Sequence, residues 1–253
     1  MSSIFLPRPA EQVPQAAPAT TRRPDRGTSP PLGPRLAAEF IGTFFLVVTV
    51  CAATSPKTGA GVLAPLAIGV MLMAMVFAGG HISGGHYNPA VSLAVMIRGK
   101  LGAGEWLGYT AAQLAAGAAG GLAACGLVGR GHPGTTAGTG KILIAELLFT
   151  FALAYVVLSV ATARNSEGNS YFGLAIGFTV TAGAFAVGGI SGGAFNPAVA
   201  LGVSILGRFA WHQLWIYVVA ALTGAAIAAA AFLYVQPSER PGTPTSSPRP
   251  TAT

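Results

Sequence analysis

Ser83-Gly84-Gly85-His86-Tyr87-Asn88-Pro89-Ala90-Val91 returns as Ser191-Gly192-Gly193-Ala194-Phe195-Asn196-Pro197-Ala198-Val199, and from Asn88 to Asn196 is 108 positions. Only the two residues before each Asn-Pro-Ala differ. A lone Asn-Pro step marks no more than a turn or a helix start. Two copies in matching places of two apolar halves mark an internal duplication. Working outward, Ala38-Glu39-Phe40 opens the first half and Ala145-Glu146-Leu147 the second. From Glu39 to Asn88 is 49 positions, and from Glu146 to Asn196 is 50.

Around these copies the chain is built for a bilayer. It is 52% hydrophobic and only 8% charged, with a mean hydropathy of +0.62. A soluble domain carries roughly 25% charged residues. The apolar residues fall into six blocks, Leu36–Thr54, Gly61–Gly80, Trp106–Val128, Ile142–Thr162, Tyr171–Gly189 and Trp211–Val235. A helix needs about 20 apolar residues to cross the hydrocarbon core, so the pattern predicts an all-α membrane protein with six transmembrane helices. The stretches after each Asn, Pro89–Ile97 and Pro197–Leu206, hold about ten residues and reach roughly 15 Å. That is half of a ~30 Å core. Asn favours the N-cap and Pro the first helical position, so each reads as a re-entrant half-helix. The glycine-rich loops before them are tolerated at membrane depth only where they are buried or line a wet cavity. Each half reads as span, span, short segment, span. Three spans is an odd number, so the second half enters from the opposite face and the repeats are inverted, an arrangement whose broken helices mark where a permeant passes.

The net charge of +7 does not point to nucleic acid, which wants a clustered basic face. Ten Lys and Arg fall on the side of the termini (Arg8, Arg22, Arg23, Arg26, Arg35, Arg98, Lys100, Arg164, Arg240, Arg249) and four on the other (Lys57, Arg130, Lys141, Arg208). The positive-inside rule then puts both termini in the cytoplasm. Residues 1–34 and 236–253, rich in Pro, Ser and Thr, read as disordered tails, and 1–34 has no apolar core of signal-peptide length. The channel domain is residues 35–235, with repeats at about 35–128 and 139–235. Cys51 and Cys125 sit inside spans as packing residues. Gly117-x-x-x-Gly121 and Gly173-x-x-x-Gly177, with many alanines, allow close helix packing. No cluster has metal-ligand chemistry and no nucleophile sits beside a base. Neither a cofactor, a metal nor an enzymatic activity is expected.

From Arg35 to about Val235 the chain resembles the aquaporin family of major intrinsic proteins, which includes the glycerol facilitators. The resemblance rests on Ala-Glu near the start of each half, Gly80-His81-Ile82-Ser83-Gly84, both Asn-Pro-Ala boxes, and Gln113 in the third span. It implies a pore in each subunit, conducting water or small uncharged solutes, and a homotetramer in the membrane. In such a pore the positive ends of two half-helices face each other and repel cations. Asn88 and Asn196 would cap with oxygen and turn an amide NH2 to the lumen. Pro89, Ala90, Pro197 and Ala198 complete the boxes. Glu39 and Glu146 are intramembrane charges, functional candidates by default, but their equivalent positions and missing cationic partners favour acceptors for the loop of their own half. His81, His86 and Gln113 read as further loop supports. A pH gate at His81 or His86 is the alternative, since His titrates near neutrality. His132 and His212 read as loop and interface residues.

The resemblance also places a filter on the outer side of the boxes, at Ile68, Ala184, Gly193 and Val199. The family commonly has an Arg where Val199 stands, and Arg208 lies too far along to replace it. A wide, apolar filter is expected, passing glycerol-like solutes at some cost in water throughput. Ala200 stands where glycerol facilitators typically carry an Asp, and Val219-Ala220-Ala221-Leu222 lacks the last span's usual proline, so solute preference stays open. An ion- or proton-coupled secondary transporter is the competing reading, because inverted repeats and broken helices serve both classes. The Ala, Gly, Arg and Pro bias points to a GC-rich bacterial source, hence a bacterial inner membrane.

Overall fold

The computed structural model describes residues 30–134 and 137–242. Eight α-helices form among them: α1 (Leu32–Ala53), α2 (Ala64–Ser83), α3 (Pro89–Ile97), α4 (Ala103–Val128), α5 (Thr139–Val157), α6 (Phe172–Ser191), α7 (Pro197–Leu206) and α8 (Leu214–Val235). A π-turn, Leu158–Thr162, prolongs α5. Six of the elements are long and apolar enough to span a bilayer. Their outer surfaces expose Phe45, Leu122, Ile144, Phe178 and Ile227, which suits hydrocarbon surroundings and not water.

The helices pair as the duplication requires. α1 packs along α4 as α5 packs along α8, and α2 crosses α6 between the halves. At that crossing Gly69 and Gly177 meet. A Cβ on Gly69 would stand 2.5 Å from the Gly177 carbonyl, and one on Gly177 would stand 2.5 Å from the Gly69 carbonyl. Only hydrogen at both positions lets the backbones approach so closely.

α3 and α7 are the half-helices, nine and ten residues long. Asn88 and Asn196 are extended N-caps at φ −157° and −160°, each accepting from the backbone N–H two residues on, Ala90 or Ala198, at 2.9 Å. Ahead of them Gly84 and Gly192, at φ 92° and 91°, end α2 and α6 in the left-handed region.

Ordered structure reaches further into both ends than composition suggests. α1 starts at Leu32, with Pro34 in a first turn whose N–H groups have no helical partner anyway. Arg35 lies in the helix because its Nε donates to Tyr109 Oη at 2.9 Å and its Nη1 pairs with Glu105. At the other end Pro237–Glu239 form a 3₁₀ turn and Glu239 is buried. Its carboxylate accepts from the Arg164 N–H at 2.8 Å and pairs with the buried Arg98, whose Nη1 donates to the Glu239 carbonyl at 2.8 Å. Residues 236–242 are therefore docked on the bundle, a correction to the expected tail: one buried ion pair outweighs a polar composition. Residues 1–29 and 243–253 lie outside the described residues.

Candidate functional site

Tyr87 and Phe195, just before the boxes, adopt φ 50° and 49°, a left-handed conformation that costs a non-glycine residue roughly 1–2 kcal/mol. Glu39 and Glu146 hold it in place. Glu39 accepts from Ser83 Oγ at 2.7 Å, the His86 N–H at 2.9 Å and the Tyr87 N–H at 2.6 Å. Glu146 accepts from Ser191 Oγ at 2.7 Å, the Ala194 N–H at 3.1 Å and the Phe195 N–H at 2.6 Å. Both carboxylates are fully buried, and each accepts three hydrogen bonds from the loop of its own half.

The two loops then lock together. Asn88 Nδ2 donates to the Phe195 carbonyl at 2.9 Å, and Asn196 Nδ2 donates to the Tyr87 carbonyl at 2.8 Å. Each amide nitrogen has two hydrogens. One makes this cross-bond, so only the other is left for the lumen, a correction to the expectation of a free NH2. Pro89, Ala90, Pro197 and Ala198 are buried behind the asparagines and start the half-helices.

Both asparagines face a lumen of about 30 Å³, where one water needs roughly 10–15 Å³. It lies between a vestibule of about 660 Å³ on the face of the chain ends, with which it shares His86 and Val157, and one of about 630 Å³ on the opposite face, with which it shares Val50 and Ile68. The wall repeats with the sequence: Leu46 and Leu153, Val50 and Val157, Ile68 and Ile176, Leu72 and Val180, Gly85 and Gly193, Asn88 and Asn196, Val91 and Val199 all line it. Paired branched aliphatics make most of the surface. Loop backbone, the asparagines and His86 supply the polar groups. Of the four expected filter residues, Ile68, Gly193 and Val199 line the lumen. Ala184 instead lines the vestibule above it, its Cα 3.5 Å from where a Cβ on Gly193 would stand. Arg208 also lines that vestibule, and its Nη1 donates to Thr54 Oγ1 at 2.7 Å.

The comparisons with known proteins agree with this geometry. The sequence matches the family described as Major intrinsic protein over residues 15–80 and 66–234.

The chain belongs to the major intrinsic protein family.

It is 37% identical over 219 residues to an aquaporin NIP1-3 of Oryza sativa subsp. japonica, covering 82% of this chain and 75% of that one. It is 35% identical over 205 residues to a glycerol uptake facilitator protein-like 6 of Lactiplantibacillus plantarum, covering 76% and 93%. The aquaglyceroporin structure from Plasmodium falciparum superposes with a TM-score of 0.66 at 22% identity, covering 83% of this chain and 99% of that one, and so shares the fold. Membership makes this chain an integral, multi-pass membrane channel and not an enzyme.

Other expected supports divide. Gln113 Nε2 donates to Glu39 Oε2 at 2.8 Å and to Ser92 Oγ at 3.0 Å. His81 is exposed on the last turn of α2, lining the vestibule, with no hydrogen bond to the described residues. Helix geometry turns it away from the loop that follows. Two supports escaped the sequence reading. Tyr109 Oη donates to the Ser83 carbonyl at 2.7 Å and Tyr217 Oη to the Ser191 carbonyl at 2.6 Å. Their spacing of 108 positions, the same as that of the boxes, was the available signal.

Proposed function

We propose that water and small uncharged, glycerol-like solutes cross this chain in single file and down their gradients. The observation that carries this reading is the pair of asparagine amides, set at opposed half-helix N-termini on one lumen between two vestibules. An apolar wall binds a permeant weakly, as fast passage needs. Each asparagine offers its remaining N–H to an oxygen. The two positive helix ends repel cations, hydronium included. The relative named as a glycerol uptake facilitator supports the solute class.

Ile68, Ala184, Gly193 and Val199 form the filter toward the opposite face in this reading. It is wide because Ala184 and Gly193 are small, and apolar because Val199 brings neither charge nor donor. A coupled transporter would need a carboxylate on the path to carry the coupling ion, and both Glu39 and Glu146 are engaged behind it by the loops. The charge bias supports cytoplasmic termini, in a bacterial inner membrane, with the chains assembled as a homotetramer.

Stopped-flow light scattering on proteoliposomes tests the reading. Glycerol flux well above that of protein-free vesicles is expected. Fast water flux with background glycerol flux would overturn the wide filter. Val199→Arg should cut glycerol flux; unchanged solute selectivity in that variant would remove residue 199 from the filter.

A further inference from the structure

The two vestibules differ in how their charges are balanced. The one on the face of the chain ends is lined by Arg35 and Arg164, which pair with Glu105 and Glu239, and by Glu167 as well. Among the described residues the other is lined by one charged side chain, Arg208, in a wall that includes Val62, Pro65, Phe185, Val203 and Phe209. Glu39 and Glu146 lie behind the loops, and Glu105, Glu167 and Glu239 stand toward the chain ends. Among the described residues the opposite face thus carries Lys57, Arg130, Lys141 and Arg208 and no carboxylate.

The backbone does not neutralise Arg208 either. It follows α7, and the carbonyls that end a helix attract a cation. Here they are occupied: Val203 accepts from the Arg208 N–H at 3.0 Å, Ser204 from the Gly207 N–H at 3.0 Å and Leu206 from the Gly131 N–H at 2.8 Å. The side chain turns instead to Thr54. Its Nη1 donates to Thr54 Oγ1 at 2.7 Å, and Thr54 gives its own hydrogen to the Val50 carbonyl at 2.7 Å. The guanidinium is thereby tied to a residue of the neck, where Val50 lines both vestibule and lumen. A guanidinium has five N–H donors. One is used on Thr54 and none on any other described residue. Gly131 makes room for the side chain, since a Cβ there would stand 2.8 Å from Arg208 Cγ. A Cβ on Gly129 would stand 3.0 Å from Lys57 Nζ, and the exposed Arg130 lies between the two glycines. Lys57 and Arg208 therefore flank the short rim segment that carries Arg130.

A cleft lined by one sign of charge, with apolar walls, focuses the field and concentrates counter-ions. A guanidinium presents paired donors that fit two oxygens of a tetrahedral oxyanion. We propose that this vestibule binds a small inorganic oxyanion of the phosphate or sulfate class on Arg208, and that the bound anion obstructs entry to the lumen. Lys57 and Arg130 draw it toward the mouth. It goes no further, because Leu46, Ile68 and Leu72 beyond the neck offer nothing in place of its water. The occupant is a free anion and not a lipid headgroup, since Arg208 faces a cavity framed by α1, α2, α6 and α7.

The proposal rests on the channel reading, and one set of vesicles separates the two. Osmotic water flux through the full chain in neutral phosphatidylcholine vesicles is compared in sodium sulfate and in sodium chloride at equal ionic strength, each corrected for protein-free vesicles. Sulfate should slow wild-type flux several-fold, and return to chloride should restore it. Arg208→Gln should make the fluxes of that variant equal in the two salts, and Arg208→Lys should recover part of the difference. Lys57→Gln should weaken the sulfate effect less, and it carries the test if Arg208→Gln does not fold. Equal wild-type fluxes in the two salts would overturn the anion site and leave the channel standing. So would a sulfate effect unmoved by Arg208→Gln, or by Lys57→Gln where it alone folds. Slowing in chloride on adding phosphatidylglycerol, with none by sulfate in neutral vesicles, would assign Arg208 to headgroups and overturn the free anion. No wild-type flux in chloride above protein-free vesicles would overturn the channel reading, and the block with it.

Discussion

The first and second halves are nearly interchangeable at the centre of the pore and diverge toward its ends. Both boxes cap their half-helices at 2.9 Å, and the asparagines reach across at 2.9 Å and 2.8 Å. Away from the centre the first half adds His86, Ser92 and Gln113, and the second half answers with Ala194, Ala200 and Ala221. Repulsion of cations by opposed helix ends needs two equal halves, because the positive ends act together only if both point at the same place. Discrimination between neutral solutes needs only one constriction. The halves are free to differ wherever the second requirement governs.

Paired substitutions test that contrast, and the largest effect is expected at the carboxylates. Glu39→Ala and Glu146→Ala each strand buried donors, at about 1–3 kcal/mol per group. Both should lower the melting temperature in detergent and abolish water flux. Glu39→Ala should lose more, because Gln113 donates to it while the equivalent position in the second half is Ala221. Equal losses would mean that the Gln113 bond contributes nothing. A smaller effect is expected at the crossing of α2 and α6, where Gly69→Ala and Gly177→Ala each press a methyl onto a carbonyl. Overpacking of this kind costs about 1–3 kcal/mol, and the two melting curves should shift alike. A marked difference would break the symmetry at the centre. The smallest effect belongs to the tyrosines. Tyr109→Phe and Tyr217→Phe each remove one hydrogen bond to a loop carbonyl, worth about 1 kcal/mol. Tyr109→Phe should cost slightly more, since Arg35 also donates to that hydroxyl; the reverse order in thermal melts would contradict it.

What was legible in the sequence followed the range of the interactions. The half-helices start and stop at the expected residues, since an N-cap and a following proline act within one turn. Glu39 and Glu146 could be matched to their loops because the duplication placed both sets at the same offset. The cross-bonds of Asn88 and Asn196 were beyond reach, as they exist only after two separate loops dock. The hydrogen bonds that tie His86 to Ser92, and Gln113 to Ser92 and Glu39, draw on α1, α3 and α4, and no spacing within one helix announces them. Glu239 was misread for the same reason: its neighbours in sequence are polar, while its neighbours in space are Arg98 and Arg164.

The cross-bonds also carry a consequence for synthesis. Asn88 needs the Phe195 carbonyl, which a ribosome adding about 5–20 residues per second reaches roughly 5–20 s later. During that delay the first loop must survive in the translocating chain without its partner. Its ties to Glu39 lie upstream in the same half, while Tyr109 and Gln113 emerge within about 25 further residues, or roughly 1–5 s. The first loop can thus be held nascent before the second half is made. The second loop, by contrast, is born facing a finished template.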